Sequence, residues 1–318
     1  MRNVVALFFL AMVSLRAAEL AAERATVIVL AGAAGEAEFA PVFTKAVETW
    51  AAISAQAGAR HLAFGGGEPG AVSDHDRLRE ALAAEPKEGV GELWVVLVGH
   101  GTFDGKEAKF NLRGPDLPAS ELALWLKPFH RPVAVIDTAS ASAPFLAKLS
   151  APNRVVISST RSGFEQNYAR FGKYLAEAMA DPKSDLDKDG QVSLLEAFLG
   201  AGQRTNEFYK TEGRLATEHA LLDDNGDGLG TPAEWFRGVR AKKQAKDGAT
   251  LDGTRAHQFH LLRSVTEQQL PPTVRMRRDE LEIAVAKLRL AKPKMAEEEY
   301  FRELEKKLLE LATVYEVK

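Results

Sequence analysis

Several stretches in the first half of the chain are apolar at nearly every position instead of at every second one: 25–31, 93–98, 133–137 and 154–158. A strand with one wet face alternates, whereas an unbroken apolar run belongs to a parallel strand covered on both sides. Between these runs the spacing changes to that of helices. Val42, Phe43, Ala46, Val47 and Trp50 recur at three- and four-residue intervals in 41–57, with Pro41 suited to a first helical position and Gly58 to the stop. After the run 60–64 and three glycines, Asp74 can cap a helix carrying Leu78, Leu82 and Ala83, and 120–126 reads as another helix. Strands alternating with helices predict an α/β fold with a parallel sheet and helices on both faces. In such sheets functional groups collect in the loops at the carboxyl ends of the strands.

Beyond Tyr168 the pattern becomes helical and rich in loops. Residues 242–254 form a polar Lys/Asp/Gly stretch expected to be an exposed loop. After Pro271-Pro272, Leu281, Val285 and Leu288 share one helical face, and Tyr300, Leu304, Leu308, Leu311 and Tyr315 share another. Lys292-Pro293 separates the two, predicting an antiparallel helical hairpin. The expected organisation is an α/β core at 25–180, a helical region with two acidic loops at 181–240, a connector at 241–270 and the hairpin at 271–318.

Forty-one basic against 44 acidic residues leave a net charge of −3, so no global field draws the chain to nucleic acid. Residues 1–18 read as a signal peptide: Arg2, an apolar run at 4–15, then small residues around Ala17 and Ala18. That run is too short to span a bilayer, so the expectation is export to the periplasm or the extracellular space, with no membrane span after signal removal. The chain contains no cysteine. This excludes disulfides, lipid attachment through a thiol and a cysteine nucleophile.

The two acidic loops carry the sharpest chemistry. Residues 185–196 place Asp185, Asp187 and Asp189 at positions one, three and five of a twelve-residue EF-hand-type loop, Gly190 at the sharp turn, Gln191 at the carbonyl position, Ser193 at position nine and Glu196 at position twelve. Hard Ca²⁺ takes six to eight oxygens, and this spacing supplies them, the last from a bidentate carboxylate. Residues 223–234 repeat it with Asp223, Asn225, Asp227, Leu229 (carbonyl), Thr231 and Glu234, but with Gly230 where the first loop has Val192. The expected cofactor is Ca²⁺ at two paired sites, the first flanked by an entering helix at 174–180 and a leaving one at 194–199.

The core resembles the caspase and legumain clan of cysteine peptidases, most closely the legumain-like secreted proteins of bacteria. The resemblance covers roughly 25–180 and is carried by the strand and turn Trp94-Val-Val-Leu-Val-Gly99-His100-Gly101 and by Val133-Ala-Val-Ile-Asp137-Thr138-Ala139-Ser140. It implies a caspase-hemoglobinase-like sheet, with His100 at the general-base position and the nucleophile position falling on Ala139, whose methyl group can neither ionise nor attack. The expected function is that of a pseudopeptidase binding a peptide or protein. The backbone amides of Gly101 and Ala139 are candidates for an oxyanion-type pocket. Two alternatives stand beside this: a hydrolase using Ser140 or Ser142 with His100, and a calcium-stabilised structural or assembly protein. Arg161 and Glu165 are candidates for the same cleft or for a surface ion pair. His257 and His260 have a spacing that suits zinc, but no further ligands accompany them in sequence, and packing is their expected role. Gly65-Gly66-Gly67 lacks the Lys-Ser/Thr ending of a phosphate loop.

Overall fold

The apolar runs become adjacent strands of one sheet. In this computed structural model, which describes residues 23–67 and 70–316, the chain runs β1 (Thr26–Ala31), α1 (Phe39–Gln56), β2 (Arg60–Phe64), α2 (Asp74–Ala84) and β3 (Leu93–Val98). It continues through β4 (Gly101–Phe103), β5 (Ala108–Phe110), β6 (Leu117–Pro118), α3 (Ala119–Leu126), β7 (Val133–Asp137), α4 (Ala143–Leu149) and β8 (Arg154–Ser158). Then follow α5 (Phe171–Ala180), α6 (Leu194–Thr211), β9 (Leu221–Asp223), β10 (Thr231–Pro232), β11 (Phe236–Arg237) and β12 (Arg240–Ala241). The last elements are α7 (Val265–Gln269), α8 (Pro272–Ala291) and α9 (Glu297–Glu316). The signal segment expected at 1–18 lies outside the described residues.

The seven-stranded sheet has the order β10-β9-β8-β7-β3-β1-β2. The five strands from β8 to β2 are mutually parallel, and β9 and β10 add an antiparallel edge. Side chains of a strand alternate between faces, and both faces are covered here. Val27, Val29, Trp94, Val96 and Ile136 pack with Phe43 and Trp50 of α1, Leu175 of α5 and Phe198 of α6. Ile28, Leu30, Val95, Leu97 and Val135 pack on the opposite side with Leu78 of α2, Leu122 of α3 and Phe145 of α4.

At the amino ends of the strands, buried Arg131 donates to the carbonyls of Gly91 (2.6 Å), Arg24 (3.2 Å) and Glu92 (3.3 Å) and pairs with Glu85 at 3.4 Å. At the carboxyl ends Thr138 donates its hydroxyl to the Leu97 carbonyl at 2.7 Å. Gly172 lets α5 sit against that threonine, since a Cβ there would come within 2.3 Å of the Thr138 Cβ.

The segment 181–240 supplies β9 and β10, so it and residues 25–180 share one sheet. Two- and three-residue strands are shorter than any window in which a period can be read, which also hid the small sheet β4-β5-β6. The hairpin forms as the apolar faces predicted, with α8 and α9 joined through a turn at Lys292–Lys294. Among the described residues no helix is long and apolar enough to cross a membrane.

Asp137 closes β7 in a fully enclosed position. Its Oδ1 accepts from the Ala139 N–H at 3.0 Å and its Oδ2 has no partner. Burial pushes its pKa up to about 7, against 3.8 for an exposed aspartate, the Ala139 N–H opposing only part of that rise. Between about pH 4 and 7 the unfolded chain has lost a proton that the folded chain still holds, so this group lowers stability as pH rises through that window and adds no further slope above it. At about 1.4 kcal/mol per pKa unit the effect is on the order of a few kcal/mol. Asp137→Asn should therefore flatten the stability profile between pH 4 and 7 relative to the native chain in urea unfolding. An unchanged slope would show that the carboxyl is not carried into the fold protonated.

Candidate functional site

β3 and β7 are neighbours with Leu97 opposite Asp137, so the turns that follow them leave the sheet side by side. Gly101 runs along Ala139-Ser140 at the closest approach the backbone allows: a Cβ on Gly101 would lie 2.4 Å from the Ser140 carbonyl oxygen and 3.4 Å from the Ala139 Cβ. The two positions singled out in the sequence, His100 and Ala139, are thus brought to one end of the sheet. The half-buried His100 ring stands edge-on to Phe39 (4.7 Å between centroids) and Phe43 (5.2 Å), with Tyr168 at 6.0 Å. Burial lowers its pKa below the usual histidine value, partly offset by the Ala34 backbone and the Glu36 charge, which favours a neutral imidazole at neutral pH. Phe43 and Tyr168 also line a small cleft between α1 and α5 together with Ala46, Val98, Thr138 and Lys173.

The groups around Ala139 are engaged. Ala139 is itself buried. The Ser140 hydroxyl accepts from the Gly101 N–H at 3.2 Å and donates to the Gly101 carbonyl at 3.1 Å, closing a ring with that glycine. Ser142 accepts from the N–H groups of Ser159 (3.0 Å) and Thr160 (3.2 Å). Both serines are buried, and neither is hydrogen-bonded to His100 among the described residues. The expectation of an oxyanion-type pocket is corrected for the same reason: the Gly101 amide is taken by Ser140 and the Ala139 amide by Asp137. A donor already satisfied inside the protein is not aimed at a ligand.

Arg161 and Glu165 follow β8 and make an ion pair at 3.3 Å. Glu165 also receives His219 Nδ1 at 2.6 Å, while its backbone carbonyl accepts from the Ala141 N–H at 2.8 Å. This pins the loop after β8 to the turn after β7. His219 carried no signal in the sequence, being a lone histidine outside both acidic loops.

The first acidic loop lies between α5 and α6, with the leaving helix where the spacing placed it and a short 3₁₀ turn, Pro182–Ser184, after the entering one. Gly190 takes φ +88°, the left-handed conformation that the turn at position six requires. Ligand atoms of Asp185, Asp187 and Asp189 all lie within 4.8 Å of one another. Glu196 is turned inward, its Oε1 accepting from Leu186 N–H (2.7 Å) and its Oε2 from the N–H and hydroxyl of Ser193 (2.8 Å each), which also caps α6. The Gln191 amide nitrogen bonds to Asp189 and its oxygen accepts from Ser264 N–H.

The second loop has a different frame. It opens from β9 and closes on β10, which pair with each other. A 3₁₀ turn, Ala233–Trp235, stands where a leaving helix is expected. Asp223 accepts from the N–H groups of Asn225, Gly226 and Gly228, Asn225 from Asp227 N–H and Asp227 from Leu229 N–H. Glu234 is exposed and does not turn in, and Thr231 donates instead to Asp252 at 2.5 Å. Both convergent sets of acidic or histidine ligand atoms among the described residues draw on the first loop, one of them with His257 added from outside it, and neither includes a residue of the second loop. The two loops are not joined through a shared strand pair. They are joined by a strap: Asp224 accepts from Gly253 N–H (3.0 Å) and Ala256 N–H (2.7 Å), holding the turn Ala256–Gln258 whose His257 reaches Asp187 in the first loop at 3.0 Å.

No protein-family model matches the chain, and no curated protein sequence matches it. Among solved structures it is similar to the Drosophila initiator caspase Dronc, at 11% identity and a TM-score of 0.42, over 63% of this chain and 80% of that one. It is also similar to caspase-1 of Spodoptera frugiperda, at 8% identity and 0.43, over 64% and 87%. A third similar structure is a protein of Geobacter sulfurreducens, at 14% identity and 0.40, over 63% and 92%. At these values the comparisons name neighbours and do not assign the chain to a family.

Proposed function

We propose that this chain is an exported, calcium-stabilised pseudopeptidase of the caspase and legumain type, which holds a peptide or protein segment without cutting it. One observation carries the reading: the position that the motif resemblance gives to the nucleophile is Ala139, at the same end of the sheet as His100, in a chain without a single cysteine. The serine alternative lacks support, since the hydroxyls of Ser140 and Ser142 are tied to backbone groups and the imidazole faces aromatic rings. No observation favours a purely structural or assembly role. Export rests on the signal pattern at 1–18.

The cleft beside His100 supports the binding part of this reading. Phe43, Ala46, Val98 and Tyr168 offer apolar walls, and Lys173 adds a cation at the rim, a combination that suits an extended peptide with an apolar side chain. Screening the full chain against a degenerate peptide library should yield binders by fluorescence anisotropy, and Tyr168→Ala should weaken them by about tenfold, or about 1.4 kcal/mol, with the circular dichroism spectrum unchanged. Affinity identical in Tyr168→Ala, or no binder at all, would show that the cleft does not hold a peptide.

For calcium, carboxylates held within a few ångströms repel one another until a cation enters, and that relief adds to folding stability. Titration at about 10⁻⁴ to 10⁻³ M should raise the melting temperature, with roughly 2.7 kcal/mol gained per site at a hundred times the dissociation constant. Glu196→Ala should remove most of the gain and Glu234→Ala little of it, because only Glu196 is turned into its loop. Melting curves identical in calcium and EDTA would contradict the calcium reading.

A further inference from the structure

We propose that Asp187, Glu196 and His257 form a transition-metal site of the zinc class, overlapping the first acidic loop and exclusive with calcium there. One ligand atom from each of the three lies within 4.8 Å of the other two, and His257 Nε2 is already 3.0 Å from Asp187 Oδ2. A tetrahedral ion with bonds of about 2.0–2.1 Å separates its ligands by about 3.3 Å, so a small inward movement of Glu196 completes three protein ligands and leaves the fourth position to water. An imidazole nitrogen is foreign to the all-oxygen shell that calcium prefers, whereas zinc, cobalt and nickel favour it. The sequence set His257 aside because its partners lie 70 and 61 positions away, and only the strap across the loop brings them together.

A second observation points to the same place. His260 is 6% exposed, its Nδ1 lies 3.2 Å from the Gln258 carbonyl, and its Nε2 has no hydrogen-bond partner. With Nδ1 donating to that carbonyl, Nε2 is a sealed acceptor, and its ring stands 6.4 Å from the His257 ring beside the loop. A buried acceptor without a donor is costly, and water on a bound metal is a strong donor. The strap itself is fixed independently of any ion, through Asp224 at one end and the Leu194 N–H to Phe259 carbonyl bond (2.8 Å) at the other. His257 is therefore delivered to the loop by the fold. Asp187 and Glu196 belong to both ligand sets, while Asp185 and Asp189 belong to the calcium set and His257 to the other. One ion at a time can draw the shared carboxylates to itself.

The test is calorimetric titration of the full chain with Zn²⁺ and, separately, with Ca²⁺, in chelator-treated buffer. The native chain should bind Zn²⁺, and His257→Ala should weaken that binding by about tenfold or more while leaving the calcium response in place. Asp185→Asn should do the reverse, and millimolar calcium should raise the apparent zinc dissociation constant. Co²⁺ bound to the native chain should give a visible absorption band that His257→Ala loses. Zinc binding without any calcium response would uphold this site and remove the calcium reading. Calcium binding without zinc binding, or equal zinc affinity in His257→Ala, would overturn the site and leave the calcium reading standing.

Discussion

The close passage of Gly101 along Ala139 and Ser140 is the constraint on which the rest of the candidate site depends. It follows from the pairing of β3 with β7, two parallel strands buried on both faces, which end at the same level and release their turns side by side. No side chain fits on Gly101, so backbone meets backbone there, and the polar groups of the two turns satisfy one another. Ser140 is consumed by Gly101, Ala139 by Asp137, and Thr138 by the end of β3. The amides of Gly101 and Ala139 and the hydroxyls of Ser140 and Ser142 are therefore engaged within the protein. The His100 imidazole stands in an aromatic surround, near the small cleft between α1 and α5.

Much of this was legible in the sequence because burial on both faces writes an unmistakable pattern. The runs at 93–98 and 133–137 read as covered strands, and their ends locate His100 and Ala139 from the sequence alone. The helical hairpin was equally legible from its two apolar faces. The antiparallel edge β9-β10 was not, since two or three residues carry no period, and the acidic ligand pattern over the same residues pointed toward a helix-flanked loop. The engagement of the Gly101 and Ala139 amides was also hidden. Whether an N–H is free depends on which hydroxyl or carboxylate reaches it in space, and nothing in the order of residues states that.

The acidic loops divide along the same line. Ligand spacing read from the chain fits both, yet Glu196 turns into its loop while Glu234 stays in solvent, because the second loop returns through a strand with Pro232 and a 3₁₀ turn in place of a helix. The strap from Asp224 to His257 joins the two loops by a route that neither motif contains. Long-range contacts of this kind are where sequence patterns end and packing begins.

The proposed function is that of a pseudopeptidase, a protein that binds without cutting. The most direct measurement is mass spectrometry of a proteome-derived peptide library after prolonged incubation with the full native chain in millimolar calcium. A pseudopeptidase gives no cleavage products above those of a buffer control. Cleavage that grows with protein concentration and is lost in His100→Ala would contradict it.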